Sequence, residues 1–471
     1  MKKLLSLSLV LILSLFLTAC NGDGGGTPPP PPPPPPTPAG EAQPPAPPVE
    51  VAPPAEVGLT GTLTVSHYFT EEEGQPGGSI DAQAYWAQFT RWTIDNPDVT
   101  INHNLLPHDD YELAILAAAA ANNLPDVFLM KGSWTENWVT NGLVRRITQD
   151  VRALPDYGLF TDGVFDLGMF NGEIYGIPTQ FAQPTSVVFY NVALWQEAGF
   201  DGLPGTWEEI FEAAEFFTDQ GITPFTLGNQ DLWPFNSCWF STLGSRFTGD
   251  DWFWSIAFRD GNASFTDPNF IDALSFARTL ATSGALNADF NSATNQQAYD
   301  LFAQGLAAAT ISGAWTVSYM IENADPEIYP YIRLGIMPHP PGATMGPRNG
   351  VSSTAGWFAS INSNLTGDQL ALAEAFVFDI FGTRGFSGAA EGIGGNGPMN
   401  LGNVNLAGQS VLRSRFQDFL LTKTGVPVYD TVLSGALIDV MNIGFQEIMA
   451  GIAEPEAVAA SLQAIQEGLM N

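Results

Sequence analysis

"NGEIYGIPTQFAQPTSVVFYNVALWQEAGFDGLPGTWEEI" (Asn171–Ile210) decides how the chain is read. Ser186–Tyr190 is short, β-branched and apolar, which predicts a strand. Asn191 follows as an N-cap for a short helix that runs through Ala198, and Gly199 ends it. Thr206-Trp207-Glu208-Glu209 then forms a capping box, with Thr at N-cap and Glu at N3. Behind it Ile210, Ala213, Ala214 and Phe217 fall on one helical face.

The same alternation precedes this stretch. Thr62–Phe69 reads as a strand, Ile80–Asp95 as a helix, and "PDVTINHNLL" as a second strand with Val99 and Ile101 on one face. Asp109–Asn122 is an Ala-rich helix with acidic residues in its first turn, and Leu124–Met130 is a third strand. Strand, helix, strand, helix, strand in this order predicts an α/β fold with a parallel sheet and crossover helices. Ligands of such sheets lie outside the carboxyl ends of the strands. Later strands are expected at Ala307–Ile311, Ile332–Met337 and Gly356–Ile361. The last hundred residues read mainly as helices, among them Gln369–Ile380 and Ala457–Met470. No internal repeat is visible.

The start of the chain reads differently. Residues 1–19 have a positive Lys2-Lys3 head and an apolar run, Leu4 to Leu17, and are expected to be a secretory signal peptide. Leu17-Thr18-Ala19-Cys20 resembles the lipobox of bacterial lipoproteins, which makes Cys20 the expected lipidation site. Residues 20–58 contain nine consecutive prolines (Pro28–Pro36) and no Lys or Arg in the stretch 21–57. Such chain forms extended polyproline II, so the prolines alone span roughly 28 Å. A lipid on Cys20 followed by a semi-rigid spacer is a tether, localising the rest outside the cytoplasm at the membrane surface.

About 410 residues remain, enough for two lobes. The whole chain carries 49 acidic against 16 basic residues and a net charge of −33. That balance excludes nucleic acid as a partner and argues against an anionic lipid surface. Cys238 is the second of two cysteines, so no internal disulfide is expected once Cys20 is lipidated.

Asn171–Ile210 is similar to the central signature of the family 1 extracellular solute-binding proteins, the receptors of carbohydrate ABC importers, to which maltose-binding protein is distantly related. The resemblance rests on Gly172 to Pro178, Tyr190-Asn191, Ala198-Gly199 and Pro204 to Glu209. "NNLPDVFLM" and "FAQGLAAATISGAW" match further family segments in order. The resemblance covers Leu59–Asn471. It implies a type II periplasmic-binding-protein-like fold of two α/β lobes joined by a hinge. Lobe 1 would hold 59–182 plus 352–400, and lobe 2 would hold 186–346 plus 401–471. It further implies a monomeric, non-enzymatic receptor that binds a neutral mono- or oligosaccharide between the lobes, uses no cofactor, and docks on ABC transporter permease subunits.

Candidate ligand contacts follow from strand ends and that pattern. In "ATISGAW" (Ala309–Trp315) a strand ends, Gly313 lets the backbone turn, and Trp315 is expected to offer its indole face to a sugar. The alternative is a core tryptophan. Ser133 and Trp134 follow the third strand, and His67 and Tyr68 end the first. Trp233 and Trp239 are candidates for the second wall. Gln180 and Phe181 lie near the first crossover, and Trp357 and Asn396 where the chain returns to lobe 1. Trp86, Trp92, Trp195, Trp207, Trp252 and Trp254 read as packing or surface residues.

Other chemistry finds little support. "GIGGNG" (Gly392–Gly397) lacks the strand-then-helix context of a dinucleotide site. There is no Walker A sequence and no G-x-S-x-G elbow. His103 and His108 with Asp109 and Asp110 are the one set with the chemistry to gather a metal, against the simpler reading of a solvated loop, so no metal is expected. Glycoside hydrolysis needs only two carboxylates, and Glu71, Glu72, Glu73 and Glu136 are near predicted strand ends. A peptide, polyamine or polyol phosphate receptor is the other alternative. Phosphate would want a cation, and Lys131 is the basic residue nearest a predicted contact. A tethered surface adhesin is a third, less economical class.

Overall fold

A computed structural model describes residues 58–470 except 77, 394 and 403–408. The signal segment, Cys20 and the Pro-rich tether lie outside the described residues.

In chain order the elements that build the site are β1 (Gly61–His67), α1 (Ile80–Asp95), β2 (Val99–Leu105), α2 (His108–Ala120), β3 (Val127–Lys131) and α3 (Thr135–Thr140). Then come β4 (Ile177–Pro178), β5 (Gln183–Pro184), β6 (Val187–Asn191), α4 (Val192–Glu197), α5 (Trp207–Asp219), β7 (Thr223–Thr226) and α6 (Asp250–Phe258). The chain continues through β8 (Ala307–Ser312), α7 (Thr316–Asn323), β9 (Ile332–Gly335), β10 (Gly350–Thr354), β11 (Trp357–Ile361) and α8 (Gly367–Phe381). It closes the set with α9 (Val411–Leu420), β12 (Thr424–Val426) and α10 (Tyr429–Val432).

Local chemistry explains the boundaries. Asn191 Oδ1 accepts from the Ala193 and Leu194 amides at 3.0 and 3.4 Å and so starts α4. Gly199, with φ +94°, turns the chain past its end. Thr206 and Glu209 form the reciprocal capping box of α5, whose buried face is Trp207, Ile210, Ala213, Ala214 and Phe217. Ser79 caps α1 by accepting from the Ala82 amide at 3.1 Å.

Two α/β lobes result, each with its own sheet. The first sheet has strand order β2-β1-β3-β11-β4 and the second β9-β6-β8-β7. The parallel sheet expected of the first three strands is present, with β1 parallel to β2 and β3, and β11 joins it antiparallel to β3 and β4. In the second sheet β8 is parallel to β7 and antiparallel to β6. The reason is connectivity. β11 enters from the other lobe rather than through a crossover helix of its own, so it is free to arrive head-down. The lobe 1 core gathers Leu63, Val65, Tyr85, Leu129, Trp138, Ile361 and Phe376. The lobe 2 core gathers Val188, Trp207, Phe225, Trp239, Phe270, Phe445 and Leu462.

A small third sheet, β12-β10-β5, lies where the chain passes between lobes. β5 pairs antiparallel with β10 and β10 parallel with β12. Buried hydroxyls knit the crossing strands: Thr185 Oγ1 lies 2.7 Å from Ser352 Oγ, and the Ser352 amide donates to Ser186 Oγ and Thr242 Oγ1, both at 2.9 Å.

His67 was expected at the cleft, but it is a core residue, 2 % exposed at the end of β1. Its ring packs against Tyr85 at 4.4 Å and His103 at 5.3 Å, and neither nitrogen has a hydrogen-bond partner. Alternation explains the error: Tyr68, the next residue, takes the cleft side. Burial, with a smaller contribution from His103, holds the His67 imidazole well below the usual histidine range, and burial lowers His103 to about 4. Groups with depressed folded pKa values bind fewer protons than the unfolded chain, so this stability is present above about pH 6.5 and is lost as pH falls. His67→Phe removes two unpartnered buried nitrogens. It is expected to stabilise the protein at pH 7 by roughly 1–3 kcal/mol and to flatten the acid-side decline of Tm. Melting curves at pH 4.5–7.5 that match the parent would contradict this.

Candidate functional site

The two sheets present their edges to one another. β1 and β3 are parallel, so Tyr68 and Gly132-Ser133-Trp134 emerge at one edge. Trp357 is the first residue of antiparallel β11 and pairs with Lys131, the last of β3, so it joins them. Across the cleft β7 and β8 are parallel, and the segments that follow them carry Trp233 and Trp315.

These residues form two facing aromatic walls. On the lobe 1 side the Trp357 ring lies edge-on to Tyr68 at 5.0 Å, His108 at 5.4 Å and Trp134 at 5.5 Å. On the lobe 2 side Trp233 and Trp315 meet at 5.9 Å. The walls touch where His108 approaches Trp233 at 5.8 Å. The Trp233 indole N–H donates to Asp109 Oδ1 at 3.0 Å, and Trp315 donates to Tyr299 Oη at 3.3 Å. Trp233, Trp315 and Tyr68 are part-exposed, whereas Trp357 and Trp134 are buried behind them.

The chain turns at Gly313, whose carbonyl accepts from the Thr316 amide at 3.0 Å. Its φ is not positive, so it makes no left-handed turn. A methyl group there would lie 2.1 Å from Trp315 Cζ3. The indole folds back against the bare Cα, and the glycine sets the plane of the ring.

Gln180 sits at the foot of the cleft, where its Nε2 donates to Asp81 Oδ2 at 2.9 Å and to Tyr68 Oη at 3.4 Å. Gln183 donates to the same Asp81 oxygen at 3.0 Å. Asp81 is 5 % exposed, and burial lifts its carboxyl to about 7 against the pull of both glutamines. Asp81 thus joins the start of α1 to the first crossover. No local pattern singles it out, because an acidic residue in a first helical turn is commonplace.

Lys131 is 7 % exposed, with its Nζ 3.0 Å from Glu112 Oε1 and 3.4 Å from Asp430 Oδ2. Burial alone would push its ammonium down, but the two carboxylates outweigh it and hold it above the usual lysine range. Asp430 belongs to α10, whose Tyr429 lies in the lobe 2 core, so the ion pair crosses between lobes. A second crossing pair is bidentate: Arg259, at the end of α6, donates to Glu136 of α3 at 2.7 and 3.1 Å.

Other expected contacts lie elsewhere. Trp239 is corrected to a core residue, 1 % exposed and stacked on Trp207 at 6.0 Å, because Phe235–Phe240 winds as a π-helical turn that directs it inward. Asn396 receives Gln417 Nε2 from α9 at 3.3 Å rather than joining the aromatic walls. Ser133 Oγ is buried without a partner. Phe181 is part-exposed beside Gln180. His103 bonds Tyr85 Oη at 2.7 Å while His108 bonds Asp109 at 2.9 Å, so the two histidines do not share one site. Sequence reasoning missed His108 and Asp109 as cleft residues. Their position at the start of α2, just past the carboxyl end of β2, was the available signal.

A profile of the bacterial extracellular solute-binding proteins matches residues 77–377. The chain belongs to that family. It is similar to a putative binding protein of Brucella abortus, 21% identical over 257 residues, covering 53% of this chain and 58% of that one. It is also similar to the maltotriose-binding protein of Pyrococcus abyssi, 25% identical over 293 residues, covering 61% and 55%. The chain thus spans less than two thirds of either relative. Among solved structures, a chitin oligosaccharide binding protein matches with a TM-score of 0.75 at 20% identity, covering 87% of this chain and 99% of that one. The shared fold is the two-lobe, type II arrangement. No helix among the described residues is long and apolar enough to cross a membrane.

Two predictions follow from the geometry. Gly313→Ala is expected to displace the Trp315 ring, shifting tryptophan emission while Tm changes by only a few degrees. An unchanged spectrum would show that the ring is held by other contacts. Asp81 has a folded pKa above its unfolded value, so its contribution is fully present below about pH 4 and is lost as pH rises through 7. Asp81→Asn should therefore raise Tm at pH 8.5 and leave it nearly unchanged at pH 3.5, as scanning calorimetry at both pH values would reveal.

Proposed function

We propose that the protein is a receptor that captures a neutral mono- or oligosaccharide between its lobes and hands it to the permease of an ABC importer. The observation that carries this reading is the pair of aromatic walls, with Tyr68 and His108, backed by the buried Trp357, facing Trp233 and Trp315 across the cleft. Aromatic planes bind the apolar C–H faces of a sugar ring, and polar groups at their margins bind its hydroxyls. Tyr68, Gln180, His108, Asp109 and Ser133 supply such groups. The names of the maltotriose- and chitin-oligosaccharide-binding relatives support the same ligand class.

The mechanism is capture without chemistry. Ligand enters the open cleft, the lobes rotate about the β5–β10 crossing, and the Glu136–Arg259 and Asp109–Trp233 contacts form as they meet. The closed form then docks on the permease. Two carboxylates offered for hydrolysis already have other partners: Glu136 holds Arg259, and Glu73 accepts from the Ser79 amide at 2.9 Å. Lys131 is committed to Glu112 and Asp430, which disfavours a phosphorylated ligand at that point. In this reading the lobes divide as 59–182 plus 352–400 and 186–346 plus 401–471. Lipid on Cys20 and the Pro-rich segment tether the monomeric receptor outside the membrane.

The test is a panel of malto-, xylo- and chito-oligosaccharides, with amino acids and polyamines as controls, read by thermal shift and tryptophan fluorescence. One sugar series is expected to raise Tm saturably and to change tryptophan emission, and Trp315→Ala should weaken that binding about tenfold or more. A Tm shift with spermidine and none with any sugar would replace carbohydrate with a cationic solute. Progressive shortening of an oligosaccharide would make the protein an enzyme.

A further inference from the structure

A second recess lies where α1 of lobe 1 faces α7 and α9 of lobe 2. It has a volume of about 280 Å³ and is lined by Gln83, Ser318, Ile321, Glu322, Ser410 and Arg413, among others. That volume is near the lower bound for small-ligand sites. α7 begins immediately after Trp315, so Ser318 is one helical turn from the aromatic wall. On the other side Gln83 is two residues from Asp81, which bonds Gln180 at the foot of the cleft. The recess is thus built from α1 and α7, elements that also begin beside residues of the sugar cleft, and is lined from both lobes.

Its unusual member is Arg413. The residue is 6 % exposed, one guanidinium nitrogen donates to Ser318 Oγ at 2.9 Å, and Nη1 is buried with no hydrogen-bond partner among the described residues. Burial lowers its pKa to about 10. The chain has 49 acidic residues, and Arg145, Arg146, Arg259, Arg278 and Arg384 each pair with one. Among the described residues no carboxylate pairs with Arg413. Arg246, the other buried arginine without a carboxylate, is sealed in lobe 2 at 1 % exposure and lines no part of this recess. A buried guanidinium left with an unused donor is costly unless something completes it, and its fork matches a carboxylate.

We propose that this recess takes the carboxylate of a uronic acid unit at one end of an oligosaccharide whose neutral units lie on the aromatic walls. The inference rests on the sugar-receptor reading and specifies its ligand further. A shift of the Arg413 side chain toward the recess lets Nη1, closed to solvent in this structure, donate to the carboxylate. Ser318, Ser410 and Gln83 serve the ring hydroxyls, Glu322 at the exposed rim accepts from a hydroxyl, and Ile321 packs on the C–H face. A phosphate dianion fits less well, because no second Lys or Arg lines the recess.

The test is calorimetric titration of the full chain with maltotriose, xylotriose and chitotriose, each beside its counterpart ending in a uronic acid, and with glucuronate beside glucose 6-phosphate. In the series that binds, the acid-terminated sugar is expected to bind about 10- to 100-fold tighter than its neutral sibling. Arg413→Gln should abolish that difference and leave the neutral affinity unchanged. Gln83→Glu sets a like charge at the recess without touching the buried arginine. It should also erase the preference, and it keeps the test decisive if Arg413→Gln fails to fold. Equal affinity for the acid-terminated and neutral sugars would overturn the carboxylate assignment and leave the sugar receptor standing. Tighter binding of glucose 6-phosphate than of glucuronate would overturn it too. Binding of neither sugar kind would overturn both readings.

Discussion

The site depends on one buried charge cluster. Lys131 ends the strand whose next residues carry Ser133 and Trp134, pairs in register with Trp357, and lies 6.0 Å from that indole's centroid. Its two carboxylate partners come from α2 and from lobe 2. A buried ion pair adds little net stability, because desolvation consumes most of the attraction. Its geometry is nonetheless demanding. With Lys131 paired to both Glu112 and Asp430, the α2 start that carries His108 and Asp109 meets Trp233 from the opposite lobe. The cluster thus specifies how the lobes meet more than how strongly they hold.

Around it the polar contacts divide the work. Thr185, Ser186, Thr242 and Ser352 knit the strands that pass between lobes through buried hydrogen bonds. Glu136–Arg259 and Asp109–Trp233 are at the exposed rim, where water competes and each contact is worth little by itself.

Much of the architecture was legible in the residues. The caps at Asn191 and Thr206 and the apolar face of the following helix gave α4 and α5 almost residue by residue. Strand position gave the cleft edge, hence Tyr68, Trp134 and Trp315. The failures have physical causes. His67 and Trp239 are one residue, or one π-helical turn, away from the cleft, and sequence spacing cannot resolve which of two neighbouring side chains points inward. The antiparallel direction of β11 was not legible, because it is set by a crossing from the other lobe, a long-range fact. Asp81, Lys131 and Arg413 matter through partners 99, 299 and 95 residues away, and no local pattern announces such pairs.

The central claim is that both walls grip one ligand. Calorimetric affinity for an oligosaccharide, compared among the parent, Tyr68→Ala in lobe 1 and Trp233→Ala in lobe 2, tests it most directly. The account predicts that each substitution raises Kd by about tenfold or more, because each removes one face of a shared clamp. Full affinity after loss of either wall would contradict it.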